Sequence, residues 1–504
     1  MSSTIINGDI AKVIKPTRQR LVNNVLFNLS GQGLPLLAAL FAIPLLIKAL
    51  GIDRFGIFTL IWVVVGYFGL FDLGIARAMT KLVAERFGTA RENEIPGIFW
   101  TAIPVVLLSG LVGSLILFTS ASGVAQYILK ASPELQRETL PAFYLLALSI
   151  PMVISIAGLN GFLEALQRFG LINLVRIPLG IFSFLGPLLV LPYSHNLYAL
   201  TAILLAGRAL EFVALFILCL KVLPDLRRSI RFRVAYIRPL LSFGGWITVS
   251  SVVGPFLTYL DRFFISALIS VAAIAYYATP YSILGKLLII PGALVGVLFP
   301  TFALLLGQNR EQAAQMFYRS TKYVIFAMFP LLLILFTFAH EALTLWLGEE
   351  FASHSTVVLQ WLAIGIFMNG LAQLPVALIH GNGRPELVAK LHLAELPLYL
   401  LALIGLLEKY GIAGVAMAGV ARFTVDTLVL FLIARHLVPE TDFSIKRTAK
   451  FVLVAIGVFI LAATISTLHF KVMYCLAILL IFSFWAWSIL DAGEKKLLLD
   501  LTKK

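Results

Sequence analysis

Fourteen continuous apolar stretches run through this chain, at roughly 21–48, 56–79, 97–119, 140–164, 171–193, 197–220, 240–268, 272–303, 321–346, 355–379, 388–408, 412–436, 450–469 and 472–490. A helix needs about 20 apolar residues to cross the hydrocarbon core of a bilayer. The runs are unbroken rather than alternating with period two, which excludes the strands of a membrane barrel. Of the 504 residues, 60% are hydrophobic and 13% charged, against about 25% charged in an ordinary soluble domain. No polar stretch is long enough for a separate globular domain. The chain therefore reads as an all-α polytopic membrane protein with about 14 transmembrane helices.

The net charge of +14 invites a nucleic-acid reading, but the basic residues sit in short loops between apolar spans. They follow the positive-inside bias rather than forming a phosphate-reading face, so no nucleic-acid partner is expected. With the N-terminus inside, the opposite side holds Arg54, Lys130, Arg137, Arg262, Lys409 and Lys471. Lys48, Arg77, Arg176, Arg208, Lys286 and Arg422 lie within spans, and the rest of the 39 basic residues fall on the inner side. A missed span would invert every later loop, so the asymmetry predicts both termini in the cytoplasm.

The most basic inner loop follows the sixth span and divides the chain. The expected organisation is a cytoplasmic tail 1–20, an N-lobe 21–220 and a basic linker 221–239. A C-lobe 240–436, a helix pair within 450–490 and a cytoplasmic tail 491–504 follow. Sliding the chain by 220 residues superposes Ser30 and Pro35 on Ser250 and Pro255. Two six-helix halves related in this way would be parallel repeats, a transporter architecture.

Several function classes drop out. Cys219 and Cys475 both lie in apolar spans, so neither a disulfide nor a metal site is indicated. No phosphate-binding glycine loop, HExxH or nucleophile-elbow serine is found, and no cofactor is expected. The first span is too long for a signal peptide and reads as an uncleaved helix. The longest outer loop, about Ser120 to Thr139, has no acidic pair or histidine constellation for acid–base chemistry, which disfavours a polysaccharide polymerase or ligase.

An Arg or Lys at bilayer depth costs about 2.5–3.5 kcal/mol on insertion scales and persists mainly where it lines a polar pathway. Arg208, Lys286 and Arg422 lie nearest the middle of their spans, and Arg77 and Arg176 lie nearer one face. Together they suggest a cationic interior and an anionic cargo. Arg208 with Glu211, and Arg422 with Asp426, share helix faces, so each is either a structural ion pair or part of the pathway. Lys286 has no acidic residue within a helical turn, which favours substrate contact.

Asp261, beside Arg262, is the carboxylate singled out for coupling to H+ or Na+, because the charge of a membrane carboxylate responds both to desolvation and to a neighbouring cation. The alternative is a simple pair with Arg262. Glu395 (with His392), Glu211, Asp426 and Asp72 are further coupling candidates. Asn28 and Gln32 make the inner half of the first span polar, as a cavity wall would be.

The run NNVLFNLSGQGLPLLAALFAIPLLIKALGIDRFGIFTLIW and the following GLFDLGIARAMTKLVAE resemble the polysaccharide-biosynthesis (O-antigen and exopolysaccharide) flippases. These belong to the multidrug/oligosaccharidyl-lipid/polysaccharide exporter superfamily. Gly51, Phe55, Gly56, Asp72, Leu73 and Gly74 carry the likeness, with YLDRFFISALISVAAIAYYATPY, holding Asp261 and Tyr277, in the second half.

The resemblance implies a MATE-like fold of two six-helix lobes plus a C-terminal helix pair that is either an accessory or a small lipid groove. It implies alternating access and an undecaprenyl-pyrophosphate-linked oligosaccharide moved across the bacterial inner membrane. Arg77, Arg176, Arg208, Lys286 and Arg422 would form the cationic cavity. Membrane lipids, H+ or Na+, and a polysaccharide polymerase with its chain-length regulator are the implied partners. A lipid II flippase and a drug/cation antiporter of the same fold are the alternatives.

Overall fold

The computed structural model describes residues 18–68, 75–87, 91–240, 257 and 259–495. Among them there is no strand, as a lipid-embedded chain requires: helices satisfy every backbone N–H and C=O within the segment. In chain order the helices are α1 (Arg18–Leu50), α2 (Ile52–Phe68), α3 (Ile75–Arg86), α4 (Ile95–Gly123), α5 (Pro133–Ala165), α6 (Phe169–Val190) and α7 (Leu197–Val222). Residues 259–268 are helical. Then come α8 (Val271–Leu284), α9 (Ile289–Gln308), α10 (Arg310–Thr337), α11 (Ala339–Leu347), α12 (Glu349–Gly381), α13 (Pro385–Leu437), α14 (Asp442–Thr464) and α15 (Leu468–Ser488). Ten helices among the described residues are long and apolar enough to cross a membrane.

Local chemistry sets the boundaries. Gly51, at φ +75°, lets α1 turn directly into α2. The side chains of Ser132, Asn196 and Asn309 accept hydrogen bonds from Leu135, Tyr198 and Gln312 N–H at the starts of α5, α7 and α10. α13 runs for 53 residues but breaks at Gly411, at φ +60°. A Cβ on Gly414 would lie 1.9 Å from the Leu406 carbonyl oxygen. Eight residues of straight helix would hold those positions about 12 Å apart. The chain therefore reverses here, between the stretches 388–408 and 412–436 counted from sequence.

By packing, the chain divides into one unit of Met1–Thr279 with Pro385–Val415 and another of Pro280–Arg384 with Ala416–Lys504. This division differs from the expected lobes in where 240–279 and 385–415 fall. In the first unit α5 packs against α2, α3, α4 and α7, and α1 packs on α6. Glycines set the closest approaches: a Cβ on Gly110 would meet the Pro151 backbone at 2.5 Å, and one on Gly161 the Ala76 carbonyl oxygen at 2.7 Å. Such small-residue contacts let helices approach where no hydrophobic force drives them together. Thr80 Oγ1 ties the same crossing by donating to Gly161 O at 2.9 Å. In the second unit α12 packs against α9, α10 and α11, and α14 lies on α10.

Gly56 on α2 leaves no room for a side chain between helices: its Cβ would sit 2.0 Å from the Val271 carbonyl oxygen, at the start of α8. Gly56→Ala is expected to destabilise the fold by about 1–3 kcal/mol, the usual penalty of overpacking. Gly405→Ala, where a methyl meets open space, should be neutral or stabilising by up to about 1 kcal/mol. Thermal unfolding of the detergent-purified variants reads both.

Candidate functional site

Three polar side chains converge in the first unit. Arg262 Nη1 donates to Asp261 Oδ1 at 2.6 Å, and Tyr277 Oη donates to Asp261 Oδ2 at 2.6 Å. Asp261 and Arg262 are each only 2% exposed. The Tyr259 and Tyr277 rings lie 5.1 and 5.5 Å from the guanidinium carbon, within cation–π range.

The turn at 269–270 brings Tyr277 on α8 back alongside Asp261 on helix 259–268. Tyr399 on α13 interacts electrostatically with Tyr277, and buried Glu395 stands one turn before it on the same face. Arg262, counted from sequence as an outer-side cation, is instead a core residue, its charge neutralised by the adjacent carboxylate, with two aromatic faces beside it. Lys471, counted with it, is also buried and donates to Glu341 Oε1 at 2.7 Å.

Arg208 and Glu211 form the ion pair their spacing allows, Nη1 to Oε2 at 2.6 Å, with the carboxylate side more enclosed than the guanidinium. α6 packs on α7, where Phe182 lies over Gly207. Arg176 on α6 is half-buried, and no hydrogen bond or ion pair reaches it among the described residues.

In the second unit Lys286 sits at a break: α8 passes into a short 3-10 turn, Gly285–Leu288, before α9 begins. That turn packs on α12. The lysine is exposed although it lies mid-span, and among the described residues no hydrogen bond or ion pair reaches its ammonium. Arg422 and Asp426 share a face of α13, the aspartate buried, with the Phe423 ring 4.4 Å from the guanidinium carbon. Arg77 lies on α3 and Asn28 and Gln32 on α1, but their side chains, like all of Asp72, fall outside the described residues.

Sequence reasoning did not locate a cleft of about 550 Å³ between α10, α14 and α15. Phe329, Phe451, Phe482 and Trp485 wall it, and Lys322, Arg447 and Lys450 stand at one end. The Phe451 and Trp485 rings stack at 5.0 Å. Beside that end, Lys322 Nζ donates to Glu494 Oε2 at 2.7 Å, Tyr323 Oη donates to Glu494 Oε1, and Arg319 pairs with Asp491 at 2.9 Å. The lysines and arginines had read only as topology signals. Their aromatic neighbours at helical spacing were the available clue.

Residues 45–356 match the family model described as "Polysaccharide biosynthesis protein". The chain belongs to this family. It is 29% identical over 412 residues to the "Putative O-antigen transporter" of Shigella flexneri, covering 81% of this chain and 96% of that protein. Its fold matches an inward-facing multidrug resistance MATE family transporter of the MOP superfamily with a TM-score of 0.70, at 14% identity over 87% of this chain and 98% of that one. The lipid II flippase MurJ, inward closed, also matches at 0.70, with 17% identity over 91% and 98%. At such identities the likeness shows the fold, which is the MATE-like one the sequence resemblance implied. These relatives are named as transporters and flippases.

Removing one partner of the buried pair leaves an uncompensated charge, which costs about 3–5 kcal/mol. Asp261→Asn and Arg262→Met are each expected to destabilise this family member by that amount. The double variant should recover most of the loss, as equilibrium unfolding in mixed micelles will measure.

The clamp at Glu494 carries a pH signature. Burial favours its neutral form, but hydrogen bonds from Lys322, Tyr323 and the Asp491 N–H outweigh it and hold the carboxyl below its ordinary range. A carboxyl depressed by folding contributes stability above its unfolded pKa, near about 4.3, and loses it as pH falls through the folded value. Hydrogen-exchange protection across 489–494, corrected for the intrinsic rate at each pH, should be unchanged between pH 7 and pH 5 and fall steeply only below the ordinary carboxylate range.

Proposed function

We propose that this protein is a flippase that moves an undecaprenyl-pyrophosphate-linked oligosaccharide repeat, of O-antigen or exopolysaccharide type, from the cytoplasmic to the periplasmic leaflet by alternating access. The observation that carries the reading is Lys286. It is an exposed, mid-span cation at a break between helices, and no described residue neutralises it. Such a charge persists where it lines a polar route, and a pyrophosphate is the anion that a lipid-linked glycan presents. The family match and the likeness to a protein named as an O-antigen transporter support the same cargo class.

Arg176, half-buried and without a described partner, is the second contact we assign to the pyrophosphate. Arg208, Arg422 and Arg77 complete the cationic set, Arg208 with its charge shared by Glu211. Asn28 and Gln32 are assigned to the cavity wall.

Transport would draw on a proton or sodium gradient, with Asp261 as the coupling group. Its two oxygens are held by an arginine and a tyrosine hydroxyl, so protonation or cation binding would have to rearrange both bonds. Glu395, Glu211, Asp426 and Asp72 are secondary candidates. The chain would sit in the bacterial inner membrane with both termini cytoplasmic and deliver repeats to a polymerase and its chain-length regulator.

A lipid II cargo is the nearest alternative, favoured by the fold match to a lipid II flippase, and a drug/cation antiporter is the next. Lys286→Ala should abolish surface glycan in a flippase-deficient strain at normal protein level, and Lys286→Arg should retain most of it. Wild-type rescue of lipid II translocation without glycan export would assign the cargo to lipid II. Rising drug resistance without glycan export would replace the flippase reading with the antiporter one.

A further inference from the structure

The stretch that follows α7 is not used by the transport reading. It carries Arg227, Arg228, Arg231, Arg233 and Arg238 against a single acidic residue, Asp225. All five arginines are exposed. Between them Ile230, Phe232 and Val234 are 69%, 54% and 71% exposed. Among the described residues no hydrogen bond or ion pair reaches the side chain of Arg227, Arg228, Arg231 or Arg238.

The stretch is nevertheless fixed in place. Leu226 is buried in the apolar core, and its carbonyl accepts from Trp100 Nε1 at 2.8 Å. Arg233 N donates to Thr101 Oγ1 at 3.0 Å with extended backbone (φ −128°, ψ 110°). Tyr236 Oη donates to Glu94 at 3.3 Å. That carboxylate is already neutralised by Arg86 and Arg91.

Trp100, Thr101 and Glu94 lie at the start of α4, and the strap begins where α7 ends. It is therefore pinned across the ends of two helices long and apolar enough to span a membrane, the level at which headgroup phosphates would meet it. Arginine forks match phosphate oxygens, and apolar side chains interleaved with basic ones characterise segments lying in the headgroup boundary. An acidic protein surface would satisfy the arginines but leave Ile230, Phe232 and Val234 facing polar groups. A lipid surface satisfies both.

We infer that residues 227–234 are a binding site for anionic phospholipid, with Arg227, Arg228 and Arg231 on the headgroup phosphate and Ile230 and Phe232 in the acyl boundary. The inference needs only a membrane-embedded chain and stands apart from the cargo assignment.

The test uses the full-length protein, purified in detergent and titrated in native mass spectrometry with phosphatidylglycerol or phosphatidylcholine of matched chains. Arg227→Gln/Arg228→Gln/Arg231→Gln should lose phosphatidylglycerol affinity on the order of a hundredfold, the change that three interfacial arginines imply. Ile230→Ser/Phe232→Ser, which keeps every charge and so the topology signal, should also weaken lipid retention. Wild type exposed to a phosphatidylglycerol with a photoactivatable headgroup should be labelled within 226–238.

An unchanged lipid preference in the glutamine variant overturns the site, as does the absence of label there. Glycerol phosphate binding as tightly as the intact lipid would make it a soluble-anion site and overturn it too. Polyglutamate bound through the same arginines, with lipid preference untouched, would point to a protein partner instead and likewise overturn it.

Discussion

A charge withdrawn from water must be neutralised nearby, and the described polar interior of this chain follows from that requirement. Transfer of an unpaired ion into a low-dielectric interior costs several kcal/mol even after relaxation. Asp261 and Arg262 meet the demand by bonding to each other, with a tyrosine hydroxyl on the remaining carboxylate oxygen and aromatic rings beside the guanidinium. Arg208 meets it through Glu211, and Lys471 through Glu341. Lys286 and Arg176 stand outside this pattern among the described residues, and that contrast gives them their place in the proposed mechanism.

The same low dielectric dictates the backbone. With no water to bond to, the described apolar spans are helical, and helices must then pack without a hydrophobic drive between them. Glycine supplies the close approach: Gly56 against Val271, Gly110 against Pro151 and Gly161 against Ala76 leave no room for a methyl. Two of the motif glycines that carried the sequence resemblance thus have physical roles. Gly51 supplies a positive φ between α1 and α2, and Gly56 supplies the contact that fixes α2 against the start of α8.

The polar features near helix ends divide into fastened and open ones. The C-terminal residues Asp491 and Glu494 are fastened to α10 through Arg319, Lys322 and Tyr323, beside the basic end of an aromatic cleft. The arginine strap after α7 is held by its backbone and by Tyr236, which leaves most of its charged side chains open to a ligand. Basic residues that a topology count treats alike therefore have different work: Lys322 clamps a tail, while Arg227 and Arg231 face outward.

Hydropathy alone determined that the chain is a multi-span helical membrane protein, because about 20 apolar residues in a row have no other stable environment. The motif residues determined the superfamily. Spacing alone announced the Arg208–Glu211 pair, since residues three apart share a helix face.

Only the tertiary structure decided that Arg262 is a core cation rather than an outer-side one, because the Tyr277 ring beside its guanidinium comes from the next helix, 15 positions along the chain. The aromatic cleft likewise needs α10 brought against the α14–α15 pair, which lies far along the chain from it. Periodicity reports which face of one helix is apolar. Which other helix covers that face depends on packing between distant segments, and no local pattern encodes it.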